Sequence, residues 1–492
     1  MACTDRVLNG DILLHESSKA LFTKVSVPTL TPDYITSSLF LDLGINPTKL
    51  KGKYSMQDTA SHSIESLSGS LLNEGKTKKI FSIPERPGMV KVFSKDDITA
   101  GDGKRHDVVP GKGAVSNKTT CGVFRFLREC GLSVAFQEQI SDTEFVADHA
   151  KMIPIEVVWR RRAVGSELER LPFLPKLHVF PHSVVELHLK TSGKRWNDHE
   201  LPADDPLMQV GGDGMVGLYH PHQPLHGAKP FMTIPLDNIV KGSFGLLIID
   251  NLTMLARKAF LALERAYCLQ GFELIDGKLE VGINHDGRLV IADVIDAESI
   301  RLMRDGKNFD KQLYRDEGLN PEVMERFAEV LKAVESFRIP RQRVIIWAGS
   351  VKDDIRSLVE AVDVLSNDTI KYIMHTRSIH KEAELGLLEL RKLVQECPQT
   401  VIIADIGMSN GAGPTLSAHT GAPVITLPKN WKEFPEDVWS CLRTPSNVPV
   451  STMLNPTNAV LQALQILALN NPQLYMVLQS ELEKRMINTV QI

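Results

Sequence analysis

The chain has 492 residues, 43% of them hydrophobic and 24% charged, and a formal net charge of −4. That length predicts two or three domains, and the balance is that of an ordinary globular protein. No apolar run reaches about 18 residues, which excludes a membrane-spanning helix, and no basic excess points to nucleic acid.

Residues 1–70 read as an N-terminal extension, partly disordered. Pro28, Pro32 and Pro47 break weak apolar patterning, and 52–70 is rich in Ser, Gly and polar residues. Asp5, Asp11 and Glu16 argue against a transit peptide. Cys3, Cys121, Cys130, Cys268, Cys397 and Cys441 show no CxxC spacing. That fits reduced thiols and predicts a cytoplasmic protein.

From residue 72 the pattern becomes regular. Lys78–Phe81 and Met89–Phe93 read as strands about a Pro-Gly turn, and 115–130 as a helix with Val115, Val123, Phe124 and Leu127 as its apolar stripe. Met152–Trp159 is a continuous apolar run with one acid, Glu156, and reads as a buried strand. Residues 193–235 hold many Gly, Pro and His residues with little periodicity, and read as a long functional or mobile loop. Its His199, His220, His222 and His226 match no standard zinc spacing.

A helix is expected at 243–270. The stretch 276–293 then reads as a hairpin turning at Asp286-Gly287 in type I′ geometry. That turn puts Glu280 opposite Asp293. Like charges so placed repel, so a cation belongs between them, and two hard oxygen ligands near Lys278 suit Mg²⁺ carrying a nucleotide phosphate. The alternative is an exposed hairpin with solvated acids.

A helix at 321–337 and a short linker at 338–342 follow. Beyond it, strands at 344–347, 372–374, 401–404 and 423–427 alternate with helices at 353–365 and 382–396. Such alternation predicts a parallel sheet with helices on both faces, a three-layer α/β/α domain with ligands at the carboxyl ends of its strands.

Four segments carry further chemistry. Glu74-Gly-Lys-Thr-Lys78 offers a glycine and two lysines to an anion. Asp96–Gly103 mixes small residues, acids and a hydroxyl, as a loop around a sugar phosphate would. Arg160-Arg-Arg162 leaves a buried strand directly, where guanidinium forks pair with phosphate or carboxylate. Ser299-Ile-Arg301 and Asp310–Arg315 follow the hairpin. The rival reading of each is a solvated turn or surface patch. Together they form a kit for ATP and a second anionic substrate.

These residues resemble SAICAR synthetase, the phosphoribosylaminoimidazole-succinocarboxamide synthetase family. The motifs are EGKTK at 74–78, KDDITAGDGKR at 95–105, GKGAVSNK at 111–118, MIPIEVVWRRRAVGS at 152–166, DGKLEVG at 276–282, LVIADVIDAESIRL at 289–302 and FDKQLYRD at 309–316. Residues 342–492 resemble the AIR carboxylase domain of animal bifunctional PAICS through GSVKDD at 349–354, RSIHK at 377–381, GMSNGAGP at 407–414 and DVWSCLRTPS at 437–446. The resemblance implies an α+β ATP-binding domain at 72–338 with an antiparallel sheet, then the carboxylase-like domain at 342–492.

It further implies ligation of carboxyaminoimidazole ribotide (CAIR) with L-aspartate at the expense of ATP. Gly75, Lys76, Lys78 and Met152 would contact ATP, and Glu280 and Asp293 would hold Mg²⁺. Thr99, Ala100, Gly101, Asp102, Arg160, Ser166, Ser299 and Arg301 would bind CAIR, with Asp205 near the aspartate site. Lys311 and Arg315 would act in catalysis. In the second domain His380 would be the acid/base for moving CO2 on or off aminoimidazole ribotide (AIR). Ser350, Asp353, Ser378, Lys381, Ser409, Asn410 and Gly411 would line that substrate. Family members assemble through this domain, implying a homo-octamer. Ile379 stands where the family has Ala, Met408 where it has Arg, and Val351-Lys352 where it has two small polar residues. These departures predict a weakened carboxylase. The alternatives are a fully bifunctional enzyme and a catalytically silent scaffold.

Overall fold

The computed structural model describes residues 69–100, 104–191, 195–203, 205–242, 244–408 and 410–490. The expected extension therefore lies almost wholly outside the described residues, as do Gly101, Asp102 and Ser409.

Among the described residues the first half holds two large antiparallel sheets and two short two-stranded ladders. One orders its five strands Leu71–Glu74, Lys78–Ser82, Met89–Ser94, Glu144–Asp148 and Phe136–Gln139. The helix Lys112–Glu129 lies against it, and Phe124 meets Phe136 and Phe145 at ring distances of 6.1 and 6.5 Å. The other sheet has nine strands, with Lys151–Arg162 and Glu273–Ile283 at its centre. The helix Gly245–Cys268 covers one face of this sheet and buries Leu252, Ala256, Phe260 and Leu263 completely.

Lys151–Arg162 is not buried on both faces. Ile155, Val157 and Trp159 are in the core, while Glu156, Val158 and Arg160 line an open cleft. The apolar run concealed an alternation, because Val158 sits on the cleft side among charged neighbours.

The 193–235 region is also more regular than expected. Leu207–Val210, Met215–Tyr219 and Met232–Pro235 are strands that extend the large sheet, in register Met208↔Leu218 and Val216↔Ile234. Val216 and Leu218 are fully buried. Short strands interrupted by Gly and Pro carry too little periodicity to be read. Three of the four histidines lie apart: His220 packs on Phe231 at 4.8 Å, His222 Nδ1 lies 2.8 Å from Glu169 Oε2, and His199 sits in a separate two-stranded ladder.

The hairpin register differs by one residue from the expected one. Glu280 pairs with Ala292 and Ile283 with Leu289. The loop is the three residues His285–Gly287: Gly287 N donates to Asn284 O and Asn284 N to Arg288 O. Gly287 alone in this loop has positive φ, at 77°, so the turn is type I closed by a bulge rather than type I′. The Asn284 side chain stabilises it by accepting from the Asp286 and Arg288 amides.

The second half is a parallel sheet in the order Lys371–Thr376, Arg343–Ala348, Thr400–Ile406, Val424–Pro428 and Ser451–Thr452. Val344, Ile346, Val401 and Ile403 pack in one core, and Ile345, Trp347, Ile402 and Ala404 in another on the opposite face. Two cores about one sheet make three layers, and they explain why these strands are apolar at every position.

The last helix, Pro472–Val490, joins the halves. Leu474 belongs to a core of the second half and Met476 to that of the first. Tyr475 stacks on the Arg265 guanidinium at 4.1 Å and donates to Glu264. Glu483, 0% exposed, accepts from Arg161 Nη2 at 2.8 Å and from Ser183 N at 3.0 Å.

Candidate active sites

The cleft over the nine-stranded sheet has a volume of about 750 Å³. Its floor is set by register. Arg160 lies directly opposite Asp276, which lies opposite Arg301 on the next strand. Arg301 Nη1 donates to Asp276 Oδ2 at 2.6 Å, and Arg160 Nη1 donates to the same oxygen. Opposite charges in cross-strand register stabilise the pairing. The row continues sideways: Arg160 Nε donates to Glu186 Oε2 at 3.0 Å, and the buried Arg170 bridges Glu186 and Glu167.

A row further on, Glu280 faces Glu156. The Glu280–Asp293 pair expected across the hairpin does not form: Ala292 lies opposite Glu280 there, and the acid facing Glu280 is on the other neighbouring strand. Lys278 Nζ donates to Glu156 Oε2 at 2.9 Å, and Lys190 pairs with Glu280. Asp293 has φ of 65°, a left-handed turn that ends its strand, and pairs with Lys78. Burial pushes the Lys78 ammonium down to about 8, against the upward pull of Glu280. A lysine therefore stands among these acids.

Lys76, Arg160, Ser166, Asp205, Ser299, Arg301 and Arg315 all line the cleft. Asp205 is held by Thr191, whose backbone N donates to its Oδ1 at 2.8 Å. Ser299 Oγ accepts from Asp296 N at 2.8 Å, which fixes the loop after the hairpin. Lys311 caps the helix Gln312–Glu317 and pairs with Glu298 at 2.7 Å. Burial alone would raise Glu298, but the Lys112 and Lys311 ammoniums outweigh it and hold the carboxyl below its ordinary range. Gly75 forms the turn before Lys78. Thr99 and Ala100 lie on the strand Asp97–Ala100. Met152, 41% exposed, pairs with Gly282 away from the cleft lining.

Sequence reasoning gave no role to Glu186, Arg170, Lys190, His188 or Glu298. Period-two spacing in Val179–Leu189 puts Glu186 and His188 on one face, and that was the available signal.

In the second half the candidate residues gather at the carboxyl ends of parallel strands. Ser350 N donates to Asp353 Oδ2 at 2.8 Å, and an added Cβ on Gly407 would lie 3.1 Å from Asp353 Oδ1. His380 Nε2 would be 3.2 Å from a Cβ on Gly411. Asn410 is buried, while Ser378 O accepts from Glu382 N and Ser378 Oγ from Lys381 N. Asp405, buried at a strand end, is pushed up to about 6 by desolvation, with Lys429 at 3.3 Å opposing. Lys429 supplies a cation here that the sequence reading overlooked.

Ile379, which stands where the family has Ala, is turned into the core. Ile379 is 4% exposed and belongs to the core with Trp347, Leu390 and Leu416. A Cβ on Gly386 would lie 2.7 Å from Ile379 Cδ1, so glycine at 386 makes the room. Met408 is 77% exposed.

Comparison with known proteins agrees with this division. The SAICAR synthetase family model matches residues 71–211 and 238–334, and the AIR carboxylase model residues 343–487. The multifunctional protein ADE2 of Gallus gallus is 33% identical over 433 residues, covering 86% of this chain and 94% of that protein. The bifunctional phosphoribosylaminoimidazole carboxylase/phosphoribosylaminoimidazole succinocarboxamide synthetase of Homo sapiens is 32% identical over 442 residues, covering 86% and 94%. A solved SAICAR synthetase in complex with ADP aligns at 24% identity with a TM-score of 0.42, covering 54% of this chain and 98% of that chain.

Proposed function

The chain belongs to the family of bifunctional phosphoribosylaminoimidazole carboxylase/succinocarboxamide synthetases, and from that premise we propose how its residues divide the work. The first half is an ATP-dependent amide ligase that joins CAIR to L-aspartate in purine biosynthesis. The second is an AIR carboxylase-type lyase domain.

The observation that carries the residue assignment is the row Arg160–Asp276–Arg301 on the cleft floor, with Lys76, Arg315, Ser166 and Ser299 around it. Fixed guanidiniums hold CAIR by its phosphate and carboxylate. Thr99, Ala100, Gly101 and Asp102 bind the ribotide. Lys76 and Lys78 draw the ATP phosphates in, with Gly75 and Met152 beside the nucleotide. The CAIR carboxylate attacks the γ-phosphorus and ADP leaves. The aspartate amine, placed beside Asp205, then attacks the acyl phosphate carbon and expels phosphate. Lys311 and Arg315 offset the charge that converges, so catalysis is positioning and neutralisation.

The donors fit Mg²⁺. Glu280 and Asp293 bring hard-oxygen carboxylates to Lys78 and would hold Mg²⁺, which usually takes one or two carboxylates and completes its shell with phosphate and water. When bound, the ion neutralises phosphate charge. ADP release by the full chain should require both CAIR and L-aspartate. A chelator should abolish it, and Glu280→Gln or Asp293→Asn should lower turnover about 100-fold, the scale of losing one electrostatic contact to the reacting group. No substrate-dependent ADP release would overturn the ligase assignment.

The buried Ile379 and the cation Lys429 favour a second reading, in which both halves turn over. His380 then exchanges the proton at C4 of AIR, with Ser350, Asp353, Ser378, Lys381, Ser409, Asn410 and Gly411 around the ribotide. AIR and bicarbonate should then feed the ligase without added CAIR. We place the enzyme in the cytoplasm as a homo-octamer joined through its second half. Exposed Val351, Met374, Leu388 and Met408 suit such contacts.

A further inference from the structure

The family model passes over residues 212–237, and that segment reaches the ligase cleft. It forms a hairpin, Met215–Tyr219 with Met232–Pro235, on the edge of the large sheet. Its connecting loop brings His220, Pro221, His222 and Gln223 to the cleft wall that also holds Asp205 and His188.

The loop is built in rather than draped over. Val216 and Leu218 are fully buried beneath it. The buried Arg170 donates through Nη1 to Pro221 O at 2.8 Å, and Leu225 N donates to Arg170 O at 3.1 Å. Arg170 also bonds Glu186, which holds Arg160 of the cleft floor. His220 is fixed against Phe231, and His222 against Glu169. The loop and the guanidinium row thus share one buried anchor.

The chemistry of the two sides differs. Arg160, Arg301 and Arg315 are permanent cations and suit a phosphate. The loop side offers imidazole and carboxamide N–H donors to a cleft that the acceptor Asp205 also lines, which suits a zwitterion carrying a further carboxylate. We propose that the 212–237 hairpin completes the amino-acid end of the cleft, with His220 and Gln223 selecting the dicarboxylic amine substrate. This rests on the ligase reading above.

Steady-state ADP release by the full chain tests it, with ATP, CAIR and L-aspartate varied in turn. His220→Ala and Gln223→Ala should each raise the KM for L-aspartate about tenfold or more, the scale of one hydrogen bond to a charged group. The KM values for ATP and CAIR should stay within about twofold, as should kcat, since the contact is to the ground state and transition state alike. Preference for L-aspartate over L-alanine should fall in parallel. Thr233→Ala, on the exposed part of the same hairpin, should change nothing. Gln223 is exposed, so its truncation keeps the test open should His220→Ala unfold. An unmoved aspartate KM, or a shift in the CAIR KM instead, overturns the proposal while the ligase assignment stands. A wild-type chain without aspartate-dependent turnover removes both.

Discussion

The two candidate sites are built on opposite plans. In the first half, the charged groups sit in mid-strand and meet because antiparallel register sets Arg160, Asp276 and Arg301 in one line. In the second, they sit in loops beyond the ends of parallel strands, where Ser350, Asp353 and Asn430 meet around Gly407. The first plan welds site to scaffold, since each residue of that row is also a cross-strand partner. The second separates them, so loop residues can change without disturbing the sheet. The departures at Val351 and Met408 are accordingly exposed, and the one at Ile379 was absorbed by the core.

The largest test of this contrast is Asp276→Ala. It leaves Arg160 and Arg301 without their shared acceptor, and breaking such a buried pair costs about 3–5 kcal/mol. Denaturant melts should show that loss together with collapse of ligase turnover. A stable variant would mean that the row serves binding alone. Next comes Ile379→Ala. A buried aliphatic truncation costs about 2–5 kcal/mol, and the carboxylase pocket should be indifferent to it. A gain in AIR carboxylation at unchanged stability would instead put that side chain in the pocket.

The smallest effect is a pH response that separates the halves. The Asp405 carboxyl is raised from 3.8 to about 6, so its charged form costs stability. That cost is absent below about 4, grows between the two values and is full above 6. Asp405→Asn should therefore stabilise the second half at pH 7.5 by about 1–3 kcal/mol, at 1.36 kcal/mol per pH unit, and leave pH 4 melts unchanged. Lys78 works in the opposite direction: lowered to about 8, its charged form costs stability below that pH, and the cost is relieved as pH rises toward 10.5. Ligase kcat/KM should fall above pH 8 as the ammonium that meets phosphate is lost, and Lys78→Arg should push that limb upward.

The same contrast governs what could be read in advance. Apolar runs such as Val344–Trp347 alternate with helical stretches and end in glycine loops, so the parallel sheet and its site at strand ends were legible. The antiparallel cleft was legible in its residues but not its pairings. Reading Asp286-Gly287 as a two-residue turn slid one strand by a single position, and Glu280 was matched with Asp293 instead of Glu156 and Ala292. Of the buried partners, Glu186 was marked only by the period-two spacing of its strand, and Arg170 not at all, because only the fold brings them within reach. The hairpin at 212–237 was read as a loop, since Gly211, Gly212, Gly214 and Gly217 hide two short strands.

Glu483 ties the helix Pro472–Val490 to the first half. Arg161 has Glu264 of its own half, but its second carboxylate and the acceptor of the Ser183 amide arrive only once the helix Pro472–Val490 has been synthesised. Domains usually mature in the order of synthesis, but here the earlier one waits for the later one's last turns. A premature stop a few codons before 472 should therefore destabilise the first half as well as the second, a loss that denaturant melts of the truncated chain would show.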